Sequence, residues 1–194
     1  SEVPALLEGT GQITGHVMAG AAILSPGNSP GTLSLGGLTV GDGAILDLEV
    51  RDATGVAGVD YDQLSVAGDL TNEGTFTTPT VIQLTSLDAQ DESGQAANFD
   101  NTQTYDWTVA TTGGQVAGFS PVIYAIDAAE FANDLGGGAF FLRTNAAANE
   151  LIVYFSPDSL PTTAPADFNL HGTVDGNDLA IWEKGFGCDH GGDA

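Results

Sequence analysis

The residues best suited to chemistry lie late in the chain: Asp167, Asn169, Asp175 and Asp178, with Gly172 between them. Counted from Asp167, these oxygen donors stand at positions 1, 3, 9 and 12 of a twelve-residue loop. The Thr173 carbonyl is available at position 7, and Gly172 at position 6 permits the sharp turn that aims the donors at one centre. Hard oxygen ligands at that spacing suit calcium, with three carboxylates to neutralise it and water to complete the shell. Ca2+ is therefore the expected cofactor, held by Asp167, Asn169, Thr173, Asp175 and Asp178. His171 takes position 5, where imidazole is a poor partner for a hard cation. Leu179, Trp182 and Phe186 follow at helical spacing, so one helix is expected behind the loop, ended by Gly185 or Gly187.

Other candidates are weaker. Asp60 and Asp62 flank Tyr61, with Glu49 nearby in sequence, and paired carboxylates suit a second calcium site or a glycosidase acid/base pair. With 26 acidic residues such proximity arises by chance, and a turn held by Asx hydrogen bonds is the expectation. His16, His171 and His190 are far apart, and no serine sits in a nucleophile-elbow context, so no catalytic residue and no enzyme activity is expected. Cys188 and His190 suit a soft metal only weakly. Tyr105 and Trp107 alternate with Val109 and are expected in the core rather than on a sugar platform.

The elements that must position these groups are mostly strands. Short period-two runs of apolar residues recur at 32–40, 44–50, 63–67, 80–84, 106–110, 122–126, 139–143 and 151–155, rich in Val, Ile, Leu, Thr and Phe. Turn signals such as Pro26-Gly27-Asn28, Pro30-Gly31, Gly41-Asp42-Gly43 and Gly113-Gly114 punctuate them. One helix-like patch, 127–135, stands among them. The class is all-β. Spacings of 22 residues from Ile23 to Ile45 and 18 from Leu46 to Leu64 approximate a solenoid turn. A parallel β-solenoid, a right-handed β-helix grading into antiparallel sheet after about residue 75, is thus expected, with a jelly-roll sandwich as the alternative. Residues 1–155 form the expected β-rich domain, the Pro/Ser/Thr-rich stretch 156–166 a linker, and 167–194 the calcium-binding tail.

Of 194 residues, 26 are acidic and three basic (Arg51, Arg143 and Lys184), giving 3 − 26 = −23. That balance excludes nucleic acid and anionic membrane as partners, since both are held by Lys and Arg clusters. No apolar run approaches the ~20 residues needed to span a bilayer as a helix. The chain begins at Ser1 without a basic-then-apolar leader pattern, so a processed, exported product is expected.

Two resemblances add to this reading. The segment 167–187 resembles a type I dockerin repeat, a calcium loop followed by one helix; His171 departs from that pattern, and only one repeat is found where dockerins have two. The strings Ala22–Leu33, Gly43–Val50 and Asp60–Val66, above all Ser25-Pro26-Gly27-Asn28-Ser29-Pro30-Gly31-Thr32-Leu33, resemble the autotransporter-type β-strand repeats of secreted bacterial surface proteins over about residues 9–85. That family implies a right-handed β-helix displayed outside the cell, structural and adhesive rather than catalytic. The expected function is a secreted, non-catalytic structural protein of the cell surface or extracellular matrix. It is expected to self-assemble into filaments or a layer and to be stabilised by calcium. The alternatives are an interaction module anchored through its dockerin-like tail and a polysaccharide-active enzyme. Expected partners are further copies of the chain, with a surface protein or polysaccharide as a second class.

Overall fold

The computed structural model describes residues 4–158. The stretch expected to be a calcium loop, with its expected ligands Asp167, Asn169, Thr173, Asp175 and Asp178, the segment expected to form a helix behind it, Cys188 and the expected linker past residue 158 lie outside the described residues. Thirteen strands run in chain order: β1 (Ala5–Gly9), β2 (Gly11–Ala19), β3 (Ala22–Pro26), β4 (Thr32–Val40), β5 (Ile45–Val50), β6 (Gln63–Val66), β7 (Leu70–Asn72), β8 (Thr80–Ser86), β9 (Tyr105–Thr112), β10 (Val116–Ala117), β11 (Tyr124–Glu130), β12 (Ala139–Thr144) and β13 (Glu150–Ser156). Period-two patterning explains them, because alternate side chains go to the core: β5 and β8 alternate buried and half-buried along their whole length.

The strands form two sheets. One has five strands in the order β1-β3-β5-β8-β11, all parallel. The other has eight, in the order β10-β7-β4-β6-β9-β13-β12 with β2 also beside β4. Long β4 carries β2 on one side and both β6 and β7 on the other. Parallel registers stack like on like, as in the row Leu7, Leu24, Leu46, Ile82 and Ile126 of the first sheet. Rows such as Leu38, Leu70 and Val116 do the same in the second, and the two sets of inward residues form one hydrophobic cluster.

This corrects the expected architecture while keeping its class. The described residues are all-β, but they form two separate sheets, one parallel and one mixed, not a closed β-solenoid. The jelly-roll alternative fails as well, since nine of the eleven strand pairings are parallel and a jelly roll is antiparallel. The antiparallel part is confined to β9-β13-β12. Its cause is local: only residues 145–149 join β12 to β13, and so short a link returns the chain alongside itself. Asn145 Oδ1 accepts the Asn149 N–H at 3.0 Å and closes that turn. The helix-like patch at 127–135 is also corrected, because Tyr124–Glu130 is strand β11. Pairing with β8 through an irregular register at Asp127/Glu130 overrides the helix propensity of Ala128, Ala129 and Glu130.

Aromatic residues fill the core beside the antiparallel hairpin. Trp107 is 1% exposed, stacks near Tyr105 at 6.0 Å, lies 5.7 Å from Phe140, and donates its indole N–H to the Ala53 carbonyl at 2.9 Å. Tyr105 and Trp107 are thus core residues. Trp107→Ala would leave a large cavity and an unpaired carbonyl, and is expected to cost about 3–5 kcal/mol, read as a lowered urea midpoint.

Candidate functional site

Two features stand out among the described residues, an acidic cleft and a pair of edge strands without an outer neighbour. The cleft begins with the Pro26–Gly31 turn. Gly27, at φ +97°, packs so closely on Gly31 that an added Cβ would meet the Gly31 backbone and lie 2.7 Å from Asp62 Oδ1. That close approach lets the Gly31 N–H reach Asp62 Oδ1 at 2.7 Å. The Glu49 N–H reaches the other oxygen at 2.9 Å, while the Asp62 N–H donates to the Glu49 carbonyl. Asp62 is therefore a buried brace, 1% exposed, between the turn and β5. Burial pushes its carboxyl up to about 8; the two backbone N–H groups pull it back in part, and the Glu49 and Asp47 charges add to the rise.

Outside this brace opens a cleft of about 520 Å³, lined among others by Glu8, Ser25, Ser29, Asp47 and Glu49. The Ser29 hydroxyl donates to Glu49 Oε2 at 2.7 Å. Burial raises both Asp47 and Glu49, against the Ser25 and Ser29 hydroxyls that favour ionisation. Asp60, two residues from Asp62, faces elsewhere: its Oδ2 accepts the Val56 N–H at 2.9 Å and its Oδ1 pairs with Arg51 at 3.1 Å. Those two bonds, the first the larger, hold its carboxyl below the usual range. The structure brings Glu49 and Asp62 together and separates Asp60 from them. Because Asp62 gives neither oxygen to the cleft surface, the three do not form an acid/base pair around a substrate. Among the described residues no group of three or more His, Cys, Asp or Glu side chains is arranged to hold a metal ion. His16 lies apart on β2, 2.9 Å from the Thr39 hydroxyl.

The second feature rests on β1 and β2, two strands that are not among the runs read from the sequence. Among the described residues, β1 is the outermost strand of its sheet, and β2 has a neighbour on one side only. The inward row of these strands is left open. Leu7 and Val17 are half-buried and Ile13 is 37% exposed, whereas their register partners Leu24, Leu38 and Leu35 are buried. On the outer face Leu6 is 55% and Met18 76% exposed. The signal was the weak alternation of Leu7, Ile13 and Val17 among polar residues and glycines, too sparse to read as strand.

At the opposite ends stand β11 and β12. Strand polarity links the two extremes. β11 runs parallel to β1, since every pairing in that sheet is parallel. In the other sheet β2, β4, β6 and β9 share one direction, β13 reverses it and β12 reverses it again, so β12 runs parallel to β2. Both sheets thus present matching strand directions at their two ends.

No known protein family, curated protein or solved structure matches this chain.

Proposed function

We propose that this protein is a non-catalytic structural component of a cell surface or extracellular matrix, self-assembling head to tail by strand addition. The observation that carries this reading is the pair of strands β1 and β2, which have no neighbour on their outer side among the described residues, exposed Leu6, Ile13 and Met18 included. Open strand edges template further pairing, and soluble proteins guard them with lysine, proline or bulges. Here the guard is thin: the sequence has one lysine, Lys184, and β2 has a single irregularity between Ile13 and His16. A second copy fits these edges because β11 and β12 offer strands of the same direction in both sheets, so one joint extends two ladders at once. Such a heterologous contact does not close on itself and gives filaments or layers.

The extracellular setting rests on the resemblance to autotransporter-type repeats and on the charge. At −23 the copies repel one another, and divalent cations relieve that repulsion. The dockerin-like tail supplies a calcium loop through Asp167, Asn169, Thr173, Asp175 and Asp178. Titration calorimetry of the full chain with Ca2+ is expected to give one binding event, abolished in the Asp167→Ala, Asp178→Ala variant because two of its three carboxylates are gone. Absence of heat in the parent chain removes calcium from the proposal. For the assembly itself, light scattering and negative-stain microscopy are expected to show long particles whose mass grows with added calcium and falls with EGTA. A strict monomer under both conditions overturns it.

A further inference from the structure

A second cleft, of about 340 Å³, lies beside the aromatic core and is lined by Gln95, Phe99, Asp100, Asn101, Asn133 and Asp134. We infer that this cleft is a binding subsite for a neutral saccharide. The inference stands apart from self-assembly, since none of these residues belongs to β1, β2, β11 or β12. Five of the six lining side chains end in an amide or carboxylate, and the sixth is an aromatic ring. That combination is what a polyol needs: paired donors and acceptors for its hydroxyls, and an apolar surface for its C–H face. Phe99 is half-buried and held from within by Tyr105, stacked at 5.2 Å, with Phe131 and Phe155 edge-on at 5.2 and 4.9 Å.

Four of the five polar heads, those of Asp100, Asn101, Asn133 and Asp134, are held before any ligand arrives. Tyr105 Oη accepts the Asp100 N–H at 2.7 Å and donates to the Asn98 carbonyl at 3.0 Å, closing the loop that carries Phe99 to Asn101. Asn133 is clamped at both ends of its amide by the Ala96 main chain, at 2.8 and 3.0 Å. Asn101 Nδ2 donates to the Asp134 carbonyl at 3.1 Å, and Asp134 Oδ1 accepts the Gly136 N–H at 2.9 Å. Gly136, at φ +60°, passes so close to the Asn101 side chain that a Cβ there would lie 2.7 Å from Asn101 Nδ2. Preorganised groups of this kind lose little freedom on binding. Among the residues that line the cleft, these bonds leave the Gln95 amide, Asn101 Oδ1 and the second oxygens of Asp100 and Asp134 without a side-chain or main-chain partner. Two carboxylates disfavour an anionic sugar through charge repulsion and are too few to cage a hard cation, while the amides and the ring suit a neutral saccharide.

The test uses the full chain with cellohexaose and laminarihexaose as neutral probes and tetragalacturonate as the anionic one. Calorimetry and hydrogen–deuterium exchange are read together, since both tolerate assembled protein. A neutral hexaose is expected to bind at about millimolar affinity and to protect residues 95–101 and 133–136, whereas tetragalacturonate is not. Gln95→Ala, and separately Asp134→Asn, which keeps an acceptor for the Gly136 N–H, are each expected to weaken binding about tenfold, the effect of one lost hydrogen bond. A parent-like urea midpoint in both variants would show that they are folded. No binding of either hexaose at about ten times that concentration, protection confined to other regions, equal binding of tetragalacturonate, or parent-like affinity in both variants overturns the inference.

Discussion

A Leu6→Lys, Ile13→Lys variant is expected to remain monomeric under conditions where the parent chain assembles. Both positions lie on the edge strands, at 55% and 37% exposure, so the isolated molecule accommodates two lysines at the surface. Their stability cost there is expected to stay within about 1 kcal/mol. In a joint the situation reverses. Ile13 stands in register with buried Leu35 on the core row, and a neighbouring copy would enclose its side chain. Desolvating an ammonium costs several kcal/mol unless it is paired, and every 1.4 kcal/mol is a factor of ten in association. A loss of about a thousandfold or more is the expected result. Leu6 adds the edge guard that the strand lacks. Sedimentation velocity is the measurement, with Leu6→Ile, Ile13→Val as the conservative control that still assembles. Undiminished assembly of the lysine variant would remove β1 and β2 from the joint.

Asp62 governs the second large effect, on stability. Its carboxyl titrates near pH 8 in the folded chain against an ordinary value of 3.8, chiefly because it is buried. The folded state therefore keeps a proton that the unfolded chain has already released. This contribution is present in full below about pH 4 and is lost as pH rises toward 8. Between those limits one proton gives a slope of up to about 1.4 kcal/mol per pH unit. Asp47 and Glu49, also raised by burial, act with the same sign. Asp60 and Asp100 are lowered, first by the Val56 and Thr102 backbone N–H groups respectively, and act with the opposite sign. They sit at the surface, where water screens the effect. Urea unfolding is thus expected to show a more stable protein at pH 5 than at pH 8.

Asp62→Asn should flatten that dependence by about one proton, because the titrating group is gone. The amide keeps one acceptor, so one of the two N–H partners, Gly31 or Glu49, loses its bond. Asp62→Ala removes both acceptors and strands two main-chain donors in the interior, at an expected cost of about 3 kcal/mol or more. An unchanged pH slope in Asp62→Asn would mean that the proton sits elsewhere. A mild Asp62→Ala would mean that the brace is dispensable.

Much of this molecule is written locally. Leu46, Leu48 and Val50 alternate with Asp47 and Glu49, and the β5 that results buries the first set and leaves the second half-buried. The turn Pro26–Gly31 is equally plain, as is the placing of Tyr105 and Trp107 in the core. The helix-like patch at 127–135 misled because its alanines and acids favour a helix in isolation, while β8 offers a partner that isolation lacks. Asp60 and Asp62 show the limit most sharply. Two identical residues, two apart, share the same local pattern, yet one pairs with Arg51 on the surface and the other braces a turn inside.

Across most of the described residues, the amino-acid order alone determined which runs would fold as strands, which residues would turn inward and where the chain would bend, because the pleat imposes period two on any strand whatever lies beside it. Only the tertiary structure decided which strand lies against which, that they close as two sheets rather than one coil, and that β1 and β2 end with nothing against them among the described residues. Such pairings join residues far apart in sequence through packing and backbone hydrogen bonds, and no short window of sequence records them.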